Sequence, residues 1–499
     1  MTENFPKLDP SKREWKFRPR QPIAIVLATG WVVFSSLLPW NLSMISQFQD
    51  IQSEQLHHVQ SSLFAEKSMR ALLPASVWAT RKLPHFNESS AKRMSSLLTV
   101  DETQKAMSLC GKFLYSTLGR AIHVRNMGYD TFVATGDIDS MWTRDSVVQM
   151  TIYLRLIASL PWVRLIIDGA IRRNAFNILQ DPYANAYEHE WRDPEKLQIQ
   201  DRVIGRGGFV ATRNYELDSG AYFIMHLYDY YVANGIYNPE AILREPVIFE
   251  AVMALIKTWI VEQRHDELSP YRYFELQSGG KGAPSGYTGM TWSGFRPSDD
   301  PCQYGYLIPA NIHAAGALQR LLILNDRIWQ NSDLERKASK LLREIEQGIN
   351  TYGIVTLDSG ERVYAYEVDG LGKSILGFDD ANVPSLLSIP LLGWSGYDRE
   401  VYRNTRKQLL SEDSNLEFFQ GRAFRGIGSQ HTPEDYIWPM AMVVQGLTDD
   451  GPDREEQMAF QMRQLLRSAT GDSMHESVYK DNAAFRTREW FEWVSTGIG

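Results

Sequence analysis

Cysteine is almost missing from this chain. Cys110 and Cys302 are the two present in 499 residues, and they stand too far apart for a zinc or iron–sulfur pattern. They could pair once in an oxidising compartment or remain two thiols, and spacing leaves both open. A basic excess is also lacking. The formal net charge is -8, which argues against a nucleic-acid surface, because phosphate binding concentrates Lys and Arg. No two histidines stand at i, i+4, and no Gly-rich phosphate loop, Gly-x-Ser-x-Gly elbow or nucleophilic cysteine motif occurs. Runs of adjacent acids such as Asp299-Asp300 and Asp379-Asp380 do not match an EF-hand loop. The sequence therefore predicts no metal site and no cofactor. Alternating strand patterns are scarce, limited to pieces such as Thr131–Ala134 and Arg362–Tyr366.

What is present is helical periodicity. Val247, Ile248, Ala251, Val252, Leu255, Ile256 and Ile260 repeat on one face after Pro246, as do Leu334, Ala338, Leu341, Leu342, Ile345 and Ile349. Ala314–Leu324 reads as a more buried helix. Between the helices stand six clusters rich in acids, Arg, Gly and aromatics: Thr135–Ser146, Arg213–Tyr222, Gly294–Asn311, Tyr364–Leu387, Gly426–Met440 and Met474–Trp493. Polar loops that repeatedly feed apolar helices predict an all-α toroid, an (α/α)6 barrel, with the loops converging at one end.

The amino terminus reads differently. Lys7, Lys12, Arg13, Lys16, Arg18 and Arg20 precede an uncharged stretch from Gln21 to Gln49, whose apolar heart is long enough to span a bilayer as a helix. The basic flank predicts a cytosolic tail over 1–20, a signal anchor over 21–42, a lumenal stem over 43–95 and a catalytic domain over 96–499. A cleaved signal peptide is the other reading, disfavoured by the absence of a small-x-small site after Leu38. Asn87-Glu88-Ser89 is a glycosylation acceptor consistent with a secretory-pathway lumen.

Two readings stay open for most of the clusters. Arg144-Asp145 is either a fixed pair for gripping sugar hydroxyls or a helix cap at Val147 with a surface arginine. Glu216 and Asp218, at i, i+2, would project about 200° apart if helical, so that only one could face a site. Asp218 could equally cap the helix after it. A carboxylate- and aromatic-rich site lacking metal or cofactor signatures suits glycoside hydrolysis, in which one carboxylic acid protonates the leaving oxygen and a second carboxylate activates water or attacks.

In order along the chain, TGDIDSMWTRDS, YELDS, TGMTWSGFRPSDD, YGYLIPAN, GFDDANVPSLLSIP, GIGSQHT and HES…TREWF resemble glycoside hydrolase family 125, over roughly Lys105 to Trp493. The resemblance implies an (α/α)6 barrel and a metal-independent, inverting exo-α-1,6-mannosidase acting on mannose-containing glycans. By motif it makes Asp218 the general acid, with a raised pKa, and Glu476 the general base. It also moves Arg144 and Asp145 towards sugar binding, with Asp137, Arg296, Asp299, Asp300, Asn382, His431, Trp438 and Arg488 as further pocket candidates. Gln430 stands where proline is usual and Thr143 where leucine is common. Gly220 and Ala221 are smaller than the usual residues and would enlarge the pocket near the acid. The same fold with another sugar or linkage, and a glycan-binding protein without turnover, are the competing readings. No obligate protein partner is expected.

Overall fold

The structure, a computed structural model, describes residues 88–491 except 158–159, 204, 234–239 and 470–472. Helices dominate: α1 Glu88–Leu97, α2 Val100–Ser116, α3 Thr143–Thr151, α4 Pro161–Gln180, α5 Leu217–Ala233, α6 Pro246–Glu262, α7 Ile308–Leu324, α8 Ser332–Gly348, α9 Arg399–Leu409, α10 Pro439–Leu447 and α11 Arg454–Ser468. Local chemistry starts many of them. Thr99 and Glu102 exchange hydrogen bonds in a capping box before α2, Asn331 accepts the Leu334 amide before α8, and Asp398 accepts two amides before α9. Proline stands in the first turn of α4, α6, α7 and α10, where its missing N–H costs nothing.

The helices sort by burial. In α5 and α7 nearly every residue is buried, and the two pack together, with α3 also against α5. An apolar surface all round marks an interior helix. α8 and α9 bury one face only, and α8 lies against α7. The expected faces are present: Ile248, Ala251, Val252, Leu255 and Ile256 are buried on α6, and Leu334, Ala338, Leu341 and Ile345 on α8. α4 pairs with α6, and α10 with α11.

The first and last of the described helices meet. Arg93 donates to Glu456 at 2.8 Å, Arg463 to Glu102 at 3.0 Å, and Lys105 to the Leu466 carbonyl at 2.5 Å, joining α1 and α2 to α11. The succession of helices therefore closes on itself.

Strand content exceeds the expectation. Among the described residues fourteen short strands form six antiparallel sheets of two or three strands. The forecast pieces appear as β2 Asp130–Val133 and β8 Arg362–Tyr364. Others, including β4 Ala186–Arg192 and β5 Gly208–Thr212, gave no alternation to read because their burial does not alternate along the strand. These sheets set where the loops go. β3 Met141–Trp142 pairs with β4, and β4 with β5, so that one three-stranded sheet delivers the chain into α3 and, a few residues beyond β5, into α5. β6 Tyr306–Leu307 pairs with β9 Glu367–Val368 just before α7. β12 Tyr436–Ile437 leads into α10 and pairs with β13 Ser477–Tyr479, which forms a hairpin with β14 Asn482–Thr487.

The proposed tail, span 21–42 and most of the stem lie outside the described residues, as does Asn87. Among the described residues no helix is long and apolar enough to cross a membrane. Cys110 and Cys302 are not joined in a disulfide.

Candidate active site

The three-stranded sheet places two acid-bearing motifs together. α3 begins at Thr143, whose amide donates to the Asn185 carbonyl at 3.0 Å next to β4. Arg144 and Asp145 therefore lie in the first turn and are 2% and 3% exposed. The capping alternative fails: Trp142 holds the cap position, and Arg144 is no surface residue.

Arg144 reaches α5. Its Nη1 donates to Glu216 Oε2 at 2.8 Å and to Asp218 Oδ2 at 2.9 Å. Asp145, the expected partner, is farther, with Oδ2 at 3.7 Å from Nε. The i, i+2 expectation fails here for a clear reason. Glu216 precedes the helix, so the helical rotation per residue does not separate it from Asp218. Asp218 lies in the first turn rather than at the cap. The preceding segment is pinned from both sides: the Tyr215 carbonyl accepts from the Gly294 and Phe295 amides, the Tyr215 amide donates to the Tyr271 hydroxyl at 3.1 Å, and the Leu217 amide to Ser293 Oγ at 3.1 Å.

Burial governs the protonation of this cluster. Desolvation raises the Asp218 carboxyl against the opposing charge of Arg144, and raises Glu216 well above the usual range for the same reason. Asp145 is pushed up to about 6 by burial, opposed by Arg144. Asp218 Oδ1 and Glu216 Oε1 are buried without a hydrogen-bond partner.

At the other end of the chain, the β13–β14 hairpin delivers Glu476 and Arg488 side by side. Ser477, next to Glu476, lies opposite Thr487, next to Arg488. Arg488 Nη1 stands 3.7 Å from Glu476 Oε1, and its other nitrogens grip Asp137 in a bidentate pair. A bridge between Gly136 and Phe491 repeats this link in the backbone. Asp137 thus holds an arginine that flanks Glu476.

The 294–302 loop supplies the middle of the site. Asp299 adopts φ +69°, a region that aspartate tolerates better than most residues, and its Oδ1 accepts from Asn185 at 2.8 Å and Asn214 at 3.2 Å. Its charge is felt by Arg144, Asp145, Glu216 and Asp218. Asp300 lies 3.6 Å from His431 Nδ1. That contact lifts His431 to about 9 against the effect of burial, with Glu476 and Asp299 contributing. Arg296 donates to Glu367 at 2.6 Å and to Gln430 at 3.1 Å, with Phe378 and Tyr366 beneath its guanidinium. Asn382 bonds Asp380, which also accepts from Ser429, and Asn382 Oδ1 is a buried acceptor without a partner.

The predicted residues Asp137, Arg144, Asp145, Asp218, Asp299, Asp300, His431, Glu476 and Arg488 thus belong to one continuous set of charges. Trp438 is 1% exposed, donates Nε1 to Thr432 at 3.0 Å and meets Phe491 edge-on. Gly220 differs from expectation. A Cβ there would meet Leu255 and Trp259 of α6, so its smallness serves helix packing and not the ligand side. Asp379 accepts the Leu386 and Leu387 amides and is structural. Glu489 is surface-exposed and pairs with Arg486. Glu367 and Glu417 were missed. Glu417 is raised to about 7 by burial and the neighbouring Asp380. Glu216 was weighed against Asp218 in the sequence, and the structure brings both to Arg144. Among the described residues no group of acids, histidines and cysteines is arranged to hold a metal ion.

Residues 103–499 match the family described as metal-independent α-mannosidases, glycoside hydrolase family 125. The meiotically up-regulated gene 157 protein of Schizosaccharomyces pombe is 34% identical over 401 residues, covering 73% of this chain and 75% of that one. A Streptococcus pneumoniae metal-independent α-mannosidase, solved in a non-productive complex with α-1,6-mannobiose, superposes with a TM-score of 0.73 at 34% identity, covering 82% of this chain and 95% of that one.

Proposed function

This chain belongs to glycoside hydrolase family 125 and is a glycoside hydrolase of the α-mannosidase type, and from that premise we propose that it is an inverting exo-enzyme removing non-reducing terminal α-1,6-linked mannose from glycans. The observation that carries the reading is the contrast between two carboxyls. Asp218 is fully buried with a raised pKa, suited to holding a proton. Glu476 is delivered by the far end of the chain, with Arg488 Nη1 3.7 Å from its Oε1. The mannobiose bound by the pneumococcal relative favours the linkage.

In this mechanism Asp218 Oδ1 gives its proton to the glycosidic oxygen as the C1–O bond breaks. Glu476 takes a proton from a water that attacks C1 from the opposite face, inverting the anomer. The Asp218 anion so formed stays on Arg144. Asp145, Asp299, Asp300 and the His431 cation offer acceptors and a donor to sugar hydroxyls. The closed succession of helices supports the (α/α)6 barrel. The lumen-facing, singly anchored arrangement in the endoplasmic reticulum or Golgi rests on sequence alone: the apolar 21–42 stretch, the basic residues before it and the Asn87 acceptor.

Incubation with α-1,6-mannobiose, followed by NMR, tests the proposal. β-Mannose should form first, and EDTA should leave the rate unchanged. α-Mannose as the first product would sink the inverting mechanism. Binding without release from any mannoside would leave only a lectin-like role.

A further inference from the structure

One guanidinium serves three buried carboxylates. Arg144 carries Glu216 and Asp218 on a single nitrogen and has Asp145 within 3.7 Å, with side-chain exposures of 0% for Glu216 and Asp218 and 4% for Asp145. If all three acids ionised, the cluster would hold two uncompensated negative charges away from water, which a protein interior does not sustain. At least one proton therefore stays.

Glu216 is not placed to meet a sugar. Its Oε2 also accepts from Ser219 Oγ at 3.0 Å. The small cavity that it lines is shared with Thr143, Tyr215, Gly220, Leu255 and Trp259, the side on which α5 packs against α6. It meets Arg144 from the protein interior, while Asp218 holds the same nitrogen. We propose that Glu216 is a positioning residue for the catalytic acid: by sharing Arg144 with Asp218 it keeps the last proton of the pair in place and so sets the alkaline edge of turnover. This rests on the assignment of Asp218 as the acid made above.

The other charges around the pair do not supply this effect selectively. Arg144 and Asp145 lie on α3, and Asp299 and Cys302 on the 294–302 loop. Arg488 acts on Asp145 from the far side. Arg144 favours the anions, and Asp299 is shared by Asp145, Glu216 and Asp218. Glu216 alone competes with Asp218 for the same N–H group. Two acids coupled in this way release their last proton at a higher pH than either would beside a neutral neighbour. The acid step needs Asp218 Oδ1–H to break and the leaving-oxygen O–H to form, while the C1–O electron pair passes to that oxygen.

The test is Glu216→Gln, which keeps shape and an acceptor for Arg144 while removing the charge. The pH profile of kcat/KM should be measured on α-1,6-mannobiose and on α-mannosyl fluoride, whose leaving group needs little protonation. On the disaccharide the alkaline limb should move down by about one pH unit or more, the size of a neighbouring-charge effect, with activity below the limb retained. The fluoride should be far less affected. Ser219→Ala, which removes a donor that favours the Glu216 anion, should move the limb the same way by a smaller amount and serves if the first variant does not fold. An unmoved alkaline limb, with an even loss at every pH and for both substrates, would show that Glu216 is merely structural. A wild-type enzyme that releases no mannose would sink the parent reading and this one with it.

Discussion

Arg144→Met would remove the one cation from a buried cluster of three acids. The methionine nearly fills the arginine stem, so that the loss is electrostatic rather than a cavity. Arg144 is 2% exposed and makes two charge-assisted hydrogen bonds of 2.8 and 2.9 Å. Removing one partner from such a buried ion pair costs about 3–5 kcal/mol, because the remaining charges cannot reach water. With an unfolding entropy of about 2 cal/mol/K per residue, a domain of roughly 400 residues would lose about 5 °C in Tm for 4 kcal/mol. The sign against pH follows from the acids. Asp145 titrates near 6 in the native protein, and Asp218 and Glu216 are raised. As pH falls through about 6 Asp145 becomes neutral, and a missing cation matters less. Differential scanning calorimetry at pH 7.5 and pH 5 should therefore show a large Tm loss at the higher pH and a clearly smaller one at the lower. Equal losses at both, or a loss under about 1 °C at pH 7.5, would refute the electrostatic account.

Other consequences can be checked separately. Replacing Asp218 by Asn should cut turnover of α-1,6-mannobiose by about 100-fold or more, with a far smaller effect on α-mannosyl fluoride; an equal loss on both would remove it from the acid role. His431 has a folded pKa near 9 against about 6.5 for a free imidazole, so its pairing with Asp300 stabilises the protein below about 6.5 and is lost as pH rises through 9. Proton NMR should place its titration there, and Asp300→Asn should bring it down by more than one unit; no change would mean that Asp300 is not its main partner. Asp137→Ala frees Arg488 from its bidentate grip, and kcat/KM should fall by about 10- to 100-fold while Tm changes little. An unchanged rate would detach Arg488 from the site.

The fold was legible where burial imposes a period. α6 and α8 showed their buried faces in Ile248, Leu255, Leu334 and Ile345, because a helix half in solvent writes its geometry into the sequence. α7 begins six residues before the Ala314 read from the sequence, since a helix buried all round has no polar face to mark its start. Short strands such as β3 and β12 hold two residues each, too few for alternation, yet they aim the motifs. The site was legible as motifs but not as contacts. Nothing in the spacing of Arg144, Glu216 and Asp218 says that one nitrogen joins them; that follows from β4 bringing two distant helix starts together. Trp438 was legible as part of a motif, and its edge-on contact with Phe491 could be read only in three dimensions.

The Asp137–Arg488 clasp spans 351 positions, and this has a bearing on how the enzyme is made. Synthesis yields the acid-bearing half of the chemistry long before the base. Until the hairpin carrying Glu476 and Arg488 emerges, a nascent chain has a proton donor but nothing to activate water. The last helix, α11, is made before that hairpin, so hydrolytic competence comes after the helices are complete, and a chain interrupted before Glu476 should be inactive outright rather than slow.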